Sequence, residues 1–377
     1  MAEEKKLTIL QLLPALESGG VERGTLEVAQ ALIERGHRAL VMSAGGRQVA
    51  PLVASGAEHF AWPIGKKSLK TLFLVGKLRS FLQEQQVDII HARSRVPAWI
   101  AYLAWRGMNP ATRPRFVTTV HGPYSVSAYS AVMTKGERVI VISKMIIDYI
   151  ARNYPKVSQS KMRLIYRGAD PEQFPWGHTP SADWISRWQQ DHPELTGKKI
   201  LLLPARLTRW KGQTDFIDML AQVIKERPDV HGLIVGETHP RKQAFMTELE
   251  ARSEQRGVRQ HLSFISHRSD LREIMAISDI VYSLSREPEA FGRVSLEALS
   301  LGKPLLAYDH GGVKEQLEAI LPEGAVPVGD IQQAARKTLR WLEAPPDVPK
   351  QNPFTLERML TATLDVYAEL VRAPRSR

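Results

Sequence analysis

The sequence predicts an α/β protein built from two doubly wound parallel-sheet domains. Three observations carry that expectation. Short apolar runs alternate with amphipathic stretches of helical period along nearly the whole chain. The alternation breaks once, over residues 171–196, and then restarts. A chain of 377 residues exceeds one typical domain, and an apolar fraction of 43% is enough for two ordinary cores.

In order, residues 7–13 read as a strand and 21–35 as a helix that Gly36 stops. Residues 39–43 form the next strand, and a short helix follows over 49–55. A helix over 69–85, a strand over 87–91 and a helix over 97–106 continue the pattern. Strands at 116–120 and 138–142 and a helix at 144–153 complete the first half. Pro171, Pro175, Gly177, Pro180 and Pro193 then interrupt it, with Trp176, Trp184 and Trp188 between them. We place a boundary there, giving a first domain over 1–176 and a second over 177–352. The second restarts with a strand at 199–204 and includes another at 280–284. After Pro345, Pro346, Pro349 and Pro353, one amphipathic helix over 355–372 dominates a terminal segment, 353–377.

Composition narrows the function. There is no cysteine, hence no disulfide framework and no cysteine metal site. No run approaches the ~18 apolar residues of a spanning helix, and the first residues lack the pattern of a signal peptide. The expectation is a cytoplasmic protein. The formal charge is +11, and residues 63–115 hold ten basic side chains against two acidic ones. Lys66, Lys67, Lys70, Arg93, Arg95 and Arg106 belong to this set, interleaved with Leu69, Leu72, Phe73, Trp99, Tyr102 and Trp105. Basic residues beside apolar and aromatic ones suit an anionic membrane surface or an acidic substrate. Part of the apolar set is simply the core face of an amphipathic helix.

The most informative segment is Glu289-Ala290-Phe291-Gly292-Arg293-Val294-Ser295-Leu296-Glu297, between a strand and Gly302-Lys303-Pro304. A strand-loop-helix unit aims its loop and helix start at the carboxyl edge of a parallel sheet. Helix N-terminal amides favour phosphate, and carboxylates accept hydrogen bonds from sugar hydroxyls. Arg206 and Lys211 follow the strand at 199–204, and two cations there suit a diphosphate whose charge grows as a glycosyl bond breaks. Gly19-Gly20-Val21-Glu22-Arg23 follows the first strand and lets backbone approach a ligand closely. His121 ends another strand.

The 289–297 segment resembles the donor-site signature of the retaining, family-4 glycosyltransferases with the GT-B fold: Glu, seven residues, Glu, with Phe-Gly soon after the first Glu. Residues 206–212 resemble that family's Arg, four residues, Lys, Gly motif. The resemblance runs from Gly19 to the last helix and is most specific over 200–315. Residues 91–99 are similar to bacterial members that build lipopolysaccharide core or related envelope glycans. It implies two Rossmann-like domains facing a central cleft, with the final helix crossing back onto the first. The implied catalytic set is His121, Arg206, Lys211 and Glu289, with His121 positioning the sugar. Gly20, Phe291, Gly292, Arg293, Val294 and Glu297 join Arg206, Lys211 and Glu289 around the donor, Glu297 on the ribose. Gly19, Glu22, Arg23, Lys66, Lys67, Lys70, Arg93 and Arg95 fall on the acceptor or membrane side.

The implied donor is a nucleotide-diphosphate sugar, with UDP-sugar the expected form, and no further cofactor. The sequence has no Asp-x-Asp motif, so no metal is expected on the diphosphate. Expected partners are an anionic glycan or lipid-linked acceptor and the cytoplasmic face of the inner membrane, held peripherally, with no nucleic acid. Arg167-Gly168-Ala169-Asp170 departs from the family's Asn-Gly-Val-Asp, and Val235-Gly236-Glu237-Thr238-His239 lacks a second glycine. Asp270 is placed to cap a helix starting at Leu271. The competing readings are a non-catalytic protein using its basic region on nucleic acid or membrane, and another GT-B enzyme such as an epimerase or a phosphorylase.

Overall fold

A computed structural model describes residues 5–17, 19–68, 71, 73–236 and 243–374. Lys70, Leu69 and Leu72 of the expected basic-apolar helix, and Glu237, Thr238 and His239, lie outside the described residues. The chain forms two compact units, one of residues 1–166 with 357–377 and one of residues 167–356.

Among the described residues the first unit holds seven strands: β1 (Thr8–Leu12), β2 (Arg38–Ser43), β3 (Glu58–Ala61), β4 (Ile89–Ala92), β5 (Arg115–Val120), β6 (Arg138–Val141) and β7 (Met162–Leu164). They pair in the order β3-β2-β1-β4-β5-β6-β7, and every pairing is parallel. Helices α1 (Gly20–Glu34), α2 (Val49–Ala54), α3 (Leu74–Glu84), α4 (Arg95–Arg106) and α5 (Lys144–Asn153) connect them. Strands β4 and β5 are buried throughout, as a sheet covered on both faces requires. The helix α5 starts where the Ser143 hydroxyl accepts a hydrogen bond from the Ile146 amide.

The second unit holds β8 (Lys199–Pro204), β9 (Val230–Val235), β10 (Leu262–Ile265), β11 (Ile280–Ser283), β12 (Leu305–Tyr308) and β13 (Ala325–Val326), in the order β10-β9-β8-β11-β12-β13 and again all parallel. Its helices are α6 (Ala182–Asp191), α7 (Gln213–Val223), α8 (Gln243–Gln255), α9 (Leu271–Ile277), α10 (Arg293–Ser300), α11 (Gly311–Ile320) and α12 (Ile331–Glu343). The doubly wound expectation therefore holds for both halves. The change of unit falls at 166/167, ahead of the boundary expected at 176, so the tryptophan-rich stretch belongs wholly to the second unit. There Trp184 stacks on Trp188 at 5.1 Å, and the Trp176 indole donates to the Val348 carbonyl at 2.9 Å.

The last helix, α13 (Leu356–Arg372), belongs to the first unit from Glu357 onward. Its Tyr367 hydroxyl lies 2.6 Å from His91 Nδ1, and His91 Nε2 lies 2.6 Å from the Thr119 hydroxyl. Glu369 takes Arg138 at 2.5 Å and Arg163 at 2.6 Å. These two guanidiniums hold its carboxyl down to about 2, below the ordinary carboxylate value. A depressed carboxylate stabilises the fold above its unfolded pKa, and that contribution fades as pH falls through the folded value. Glu369→Gln is thus expected to lower the neutral-pH melting temperature slightly and to flatten the acid limb between about pH 4.5 and 2. Melts across that range, wild type against variant, check it.

Candidate functional site

The residues that bear chemistry in the second unit converge at the carboxyl ends of β8 and β11. Past β8 the chain makes a single tight turn, Arg209–Lys211, and then enters α7. Gly212 joins them with φ +77°, and a Cβ there would collide with the Leu284 carbonyl oxygen. Only glycine meets both demands, and the close approach brings Lys211 beside the loop that follows β11. Lys211 Nζ lies 2.7 Å from Glu289 Oε1, with both side chains mostly buried. The Ser285 hydroxyl donates to the same oxygen at 2.5 Å. The lysine ammonium also sits 4.4 Å from the Trp210 ring.

A cavity of about 80 Å³ opens at this pair. Its wall includes Lys211, Ser283, Ser285, Glu289, Gly292, Arg293 and Val294, so four of the residues expected around the donor besides Lys211 share it. Gly292, at φ +85°, immediately precedes α10, and the first residues of α10, Arg293 to Ser295, line the same cavity and carry the helix's unpaired first amides. Phe291 is 3% exposed and packs edge-on against Phe354, 5.9 Å between ring centres, which fixes the turn from inside. Glu297 lies on the buried side of α10 and does not line the cavity. Arg206 is exposed just past β8, outside the cavity wall, and its carbonyl accepts from the Gln213 side-chain Nε2 at 2.9 Å.

Three contacts that the sequence did not reveal hold the Glu289 loop. The Gly312 amide donates to the Glu289 carbonyl at 2.8 Å. His310 Nε2 meets the Ser285 carbonyl at 2.6 Å. Asp215, 1% exposed, takes Arg286 through Nε at 2.9 Å and Nη2 at 2.5 Å, and the Tyr308 hydroxyl donates to it at 2.6 Å. The Arg286 amide in turn donates to the Trp210 carbonyl at 2.7 Å. Asp215 stands four residues after Lys211, and Arg286 three before Glu289, so this clamp ties the two motifs together. Asp215→Asn is expected to cost about 1–2 kcal/mol, the low end for a buried charge pair because Arg286 is half exposed and resolvates. A melting temperature lowered by roughly 2–8 °C checks it.

In the first unit, Gly19 and Gly20 are exposed where β1 gives way to α1. The Arg23 amide donates to the Gly19 carbonyl at 3.0 Å, and the Arg23 guanidinium pairs with Glu27 at 3.1 Å. A Cβ on Gly19 would lie 2.6 Å from a Glu22 carboxylate oxygen. His121 directly follows β5, with its amide 3.4 Å from the Tyr124 hydroxyl.

Two expectations are corrected here. Arg93 is 2% exposed, and its Nε donates to Gln11 at 2.8 Å inside the sheet. It sits on the face covered by α13 and does not reach an acceptor or a membrane. Burial pulls its pKa down and Tyr367 raises it. Arg115 is buried as well, paired with Glu137 at 3.0 Å, so the basic excess of this region is partly internal. Asp270 precedes α9 without capping it, because its carboxylate is taken by Arg268 at 2.7 Å and by the Trp184 indole at 2.8 Å.

Among the described residues no group of three or more His, Asp or Glu side chains is placed to hold a metal ion. Nor is any helix among them long and apolar enough to cross a membrane.

Residues 18–173 match the model of Glycosyltransferase Family 4, and residues 185–354 match that of Glycosyl transferases group 1. Spore coat protein SA of Bacillus subtilis (strain 168) is 24% identical over 63% of this chain, and the match spans 64% of that relative's length. A glycosyltransferase from Rickettsia africae ESF-5 superposes with a TM-score of 0.86 at 29% identity, covering 98% of this chain and 100% of that one. Anabaena Alr3699/HepE, solved in complex with UDP and glucose, gives 0.80 at 23% identity, covering 97% and 100%. With two all-parallel Rossmann-like units, both halves matched and the motif residues gathered at one sheet edge, the chain belongs to the family-4 glycosyltransferases of GT-B fold.

Proposed function

We propose that this protein transfers a sugar, with retention, from a nucleotide-diphosphate sugar to an anionic glycan or glycolipid acceptor of the cell envelope, such as lipopolysaccharide core. The observation that carries the reading is the Lys211–Glu289 pair, 2.7 Å apart at the mouth of a cavity shared by the start of α10. Lys211 is mostly buried and lines this cavity, and a partly buried charge acts more strongly on a departing diphosphate than one in water. Arg206, exposed beside it, reaches the outer phosphate. The first amides of α10 take phosphate oxygens. Glu289 accepts hydrogen bonds from the sugar and Glu297 from the ribose. The departing phosphate takes the acceptor proton. UDP is the expected nucleotide, supported by the UDP held by the Anabaena structure of the same fold.

No metal takes part in this scheme, since Lys211, Arg206 and amides meet the diphosphate charge. The protein works at the cytoplasmic face of the inner membrane, to which exposed Lys66 and Lys67 bring it.

The test is a panel of nucleotide sugars scored by thermal shift and by hydrolysis, with and without EDTA. One nucleotide series is expected to raise stability by about 2.7 kcal/mol at a hundred times its dissociation constant, with turnover unchanged by EDTA. No shift with any nucleotide sugar sinks the donor reading. Turnover lost to EDTA and restored by magnesium or manganese sinks the metal-free scheme.

A further inference from the structure

A second site lies in the first unit. Three described residues close a turn ahead of α3: the Ser68 amide donates to the Lys66 carbonyl at 3.1 Å, and the Thr71 hydroxyl to the same carbonyl at 2.7 Å. This fold leaves a groove of about 430 Å³ between that segment and α4. Its walls are almost wholly apolar, formed by Val96, Trp99, Ile100 and Leu103 on successive turns of one helix face. Tyr129 closes one side, held by the Trp99 indole, which donates to its carbonyl at 2.8 Å.

The rim is cationic. Lys66 and Lys67 are exposed at it, and Lys67 Nζ stands 5.7 Å from the Tyr129 ring. Arg95, at the start of α4, lies over Tyr124 at 4.9 Å and over Tyr129 at 5.3 Å. Among the described residues no acidic side chain lines the groove. Two of the large apolar side chains most open to solvent belong to the adjoining segments: Phe73 is 82% exposed and Val126 is 59% exposed, the latter next to Ser125, which Arg95 contacts at 3.4 Å. Apolar side chains standing in solvent around a cationic rim suit an interface with lipid.

We propose that this groove takes the hydrocarbon chain of a phosphate-headed membrane lipid, with Lys66, Lys67 and Arg95 on the phosphate. Charge complementarity fixes the head, and the dry wall of α4 fixes the tail. The inference narrows the acceptor reading above to a phospholipid-type or lipid-phosphate-linked acceptor, and rests on that reading only for its link to transfer.

The experiment titrates the full chain with octyl, decyl and dodecyl phosphate below their micelle concentrations, following tryptophan fluorescence and calorimetric heat. Inorganic phosphate and the alkyl maltosides of equal length are run alongside. Affinity is expected to rise about fourfold per added methylene until the groove is full. Inorganic phosphate should bind at least a hundredfold more weakly than decyl phosphate. Lys66→Gln with Lys67→Gln, both exposed and harmless to the fold, should weaken the phosphates several-fold and leave the maltosides unchanged. Val96→Trp, which fills the groove, should abolish the dependence on chain length. Affinity independent of chain length, equal binding of maltosides and phosphates, or an unaltered Val96→Trp titration with an unaltered lysine variant overturns the proposal. A UDP thermal shift on the same samples reports the second unit separately, so failure there and failure here are told apart.

Discussion

Lys211→Ala is expected to lower turnover of the accepted nucleotide sugar by about 10² to 10³-fold, and Glu289→Ala by a similar factor. Each removes one half of a pair 2.7 Å apart, and each leaves the other half in a mostly buried cavity. The loss is not symmetric in kind. Without Lys211, the leaving diphosphate loses its nearest buried cation, so kcat falls more than KM rises. Without Glu289, Lys211 keeps its place over Trp210 at 4.4 Å, and nucleotide affinity survives while sugar placement does not. The Ser285 hydroxyl loses its acceptor as well in that variant. Steady-state kinetics on both variants, with melts to show the fold intact, decide it. Wild-type turnover in both removes the donor assignment.

Gly212→Val is expected to be the most destabilising single change at the site. A left-handed φ of +77° disfavours any β-branched residue, and the new Cβ would collide with the Leu284 carbonyl. Backbone on both sides is held: the Phe216 amide donates to the Gly212 carbonyl at 2.9 Å, and Leu284 follows β11 directly. Strain and collision together cost about 3 kcal/mol or more, or a fall of roughly 6–12 °C in the melting temperature for a unit of this size. Gly257→Val offers the control. It shares a positive φ of +69° but meets nothing within 4 Å, so only the dihedral penalty remains, about 1 kcal/mol. Equal melting temperatures for the two variants would show that the Leu284 contact carries no strain.

Strands buried on both faces were legible, because continuous apolar runs such as Ile200 to Leu203 have no other stable home. The edge strands β3 and β7 were not. They are four and three residues long, and β3 reads Glu-His-Phe-Ala with half its length exposed, so no pattern separates it from a loop. Of the helix expected over 69–85, the structure gives Leu74–Glu84, and the Thr71 amide ahead of it turns back to the Ser68 carbonyl. At the site, the motif residues stood out through their resemblance to the family's Glu-seven-Glu and Arg-four-Lys-Gly patterns, whereas their supports did not. Asp215 reads as one acidic residue on an amphipathic helix, and Arg286 as one basic residue in a loop. Only their union through the sheet edge makes the clamp. Arg93 departs in the opposite sense: a charge next to a short strand reads as surface, but Gln11 and Tyr367 give it partners inside. Charge counted along a sequence overstates a surface patch wherever guanidiniums are paired in the core, as Arg93 and Arg115 are.

Calorimetric titration of UDP into wild-type protein and into Lys211→Ala tests the central assignment most directly, since it needs neither the sugar nor the acceptor. Saturable one-to-one binding to the wild type, weakened at least tenfold in the variant and unchanged by Lys66→Gln, is the predicted result. UDP bound equally by wild type and Lys211→Ala would contradict the placement of the diphosphate at the Lys211–Glu289 cavity.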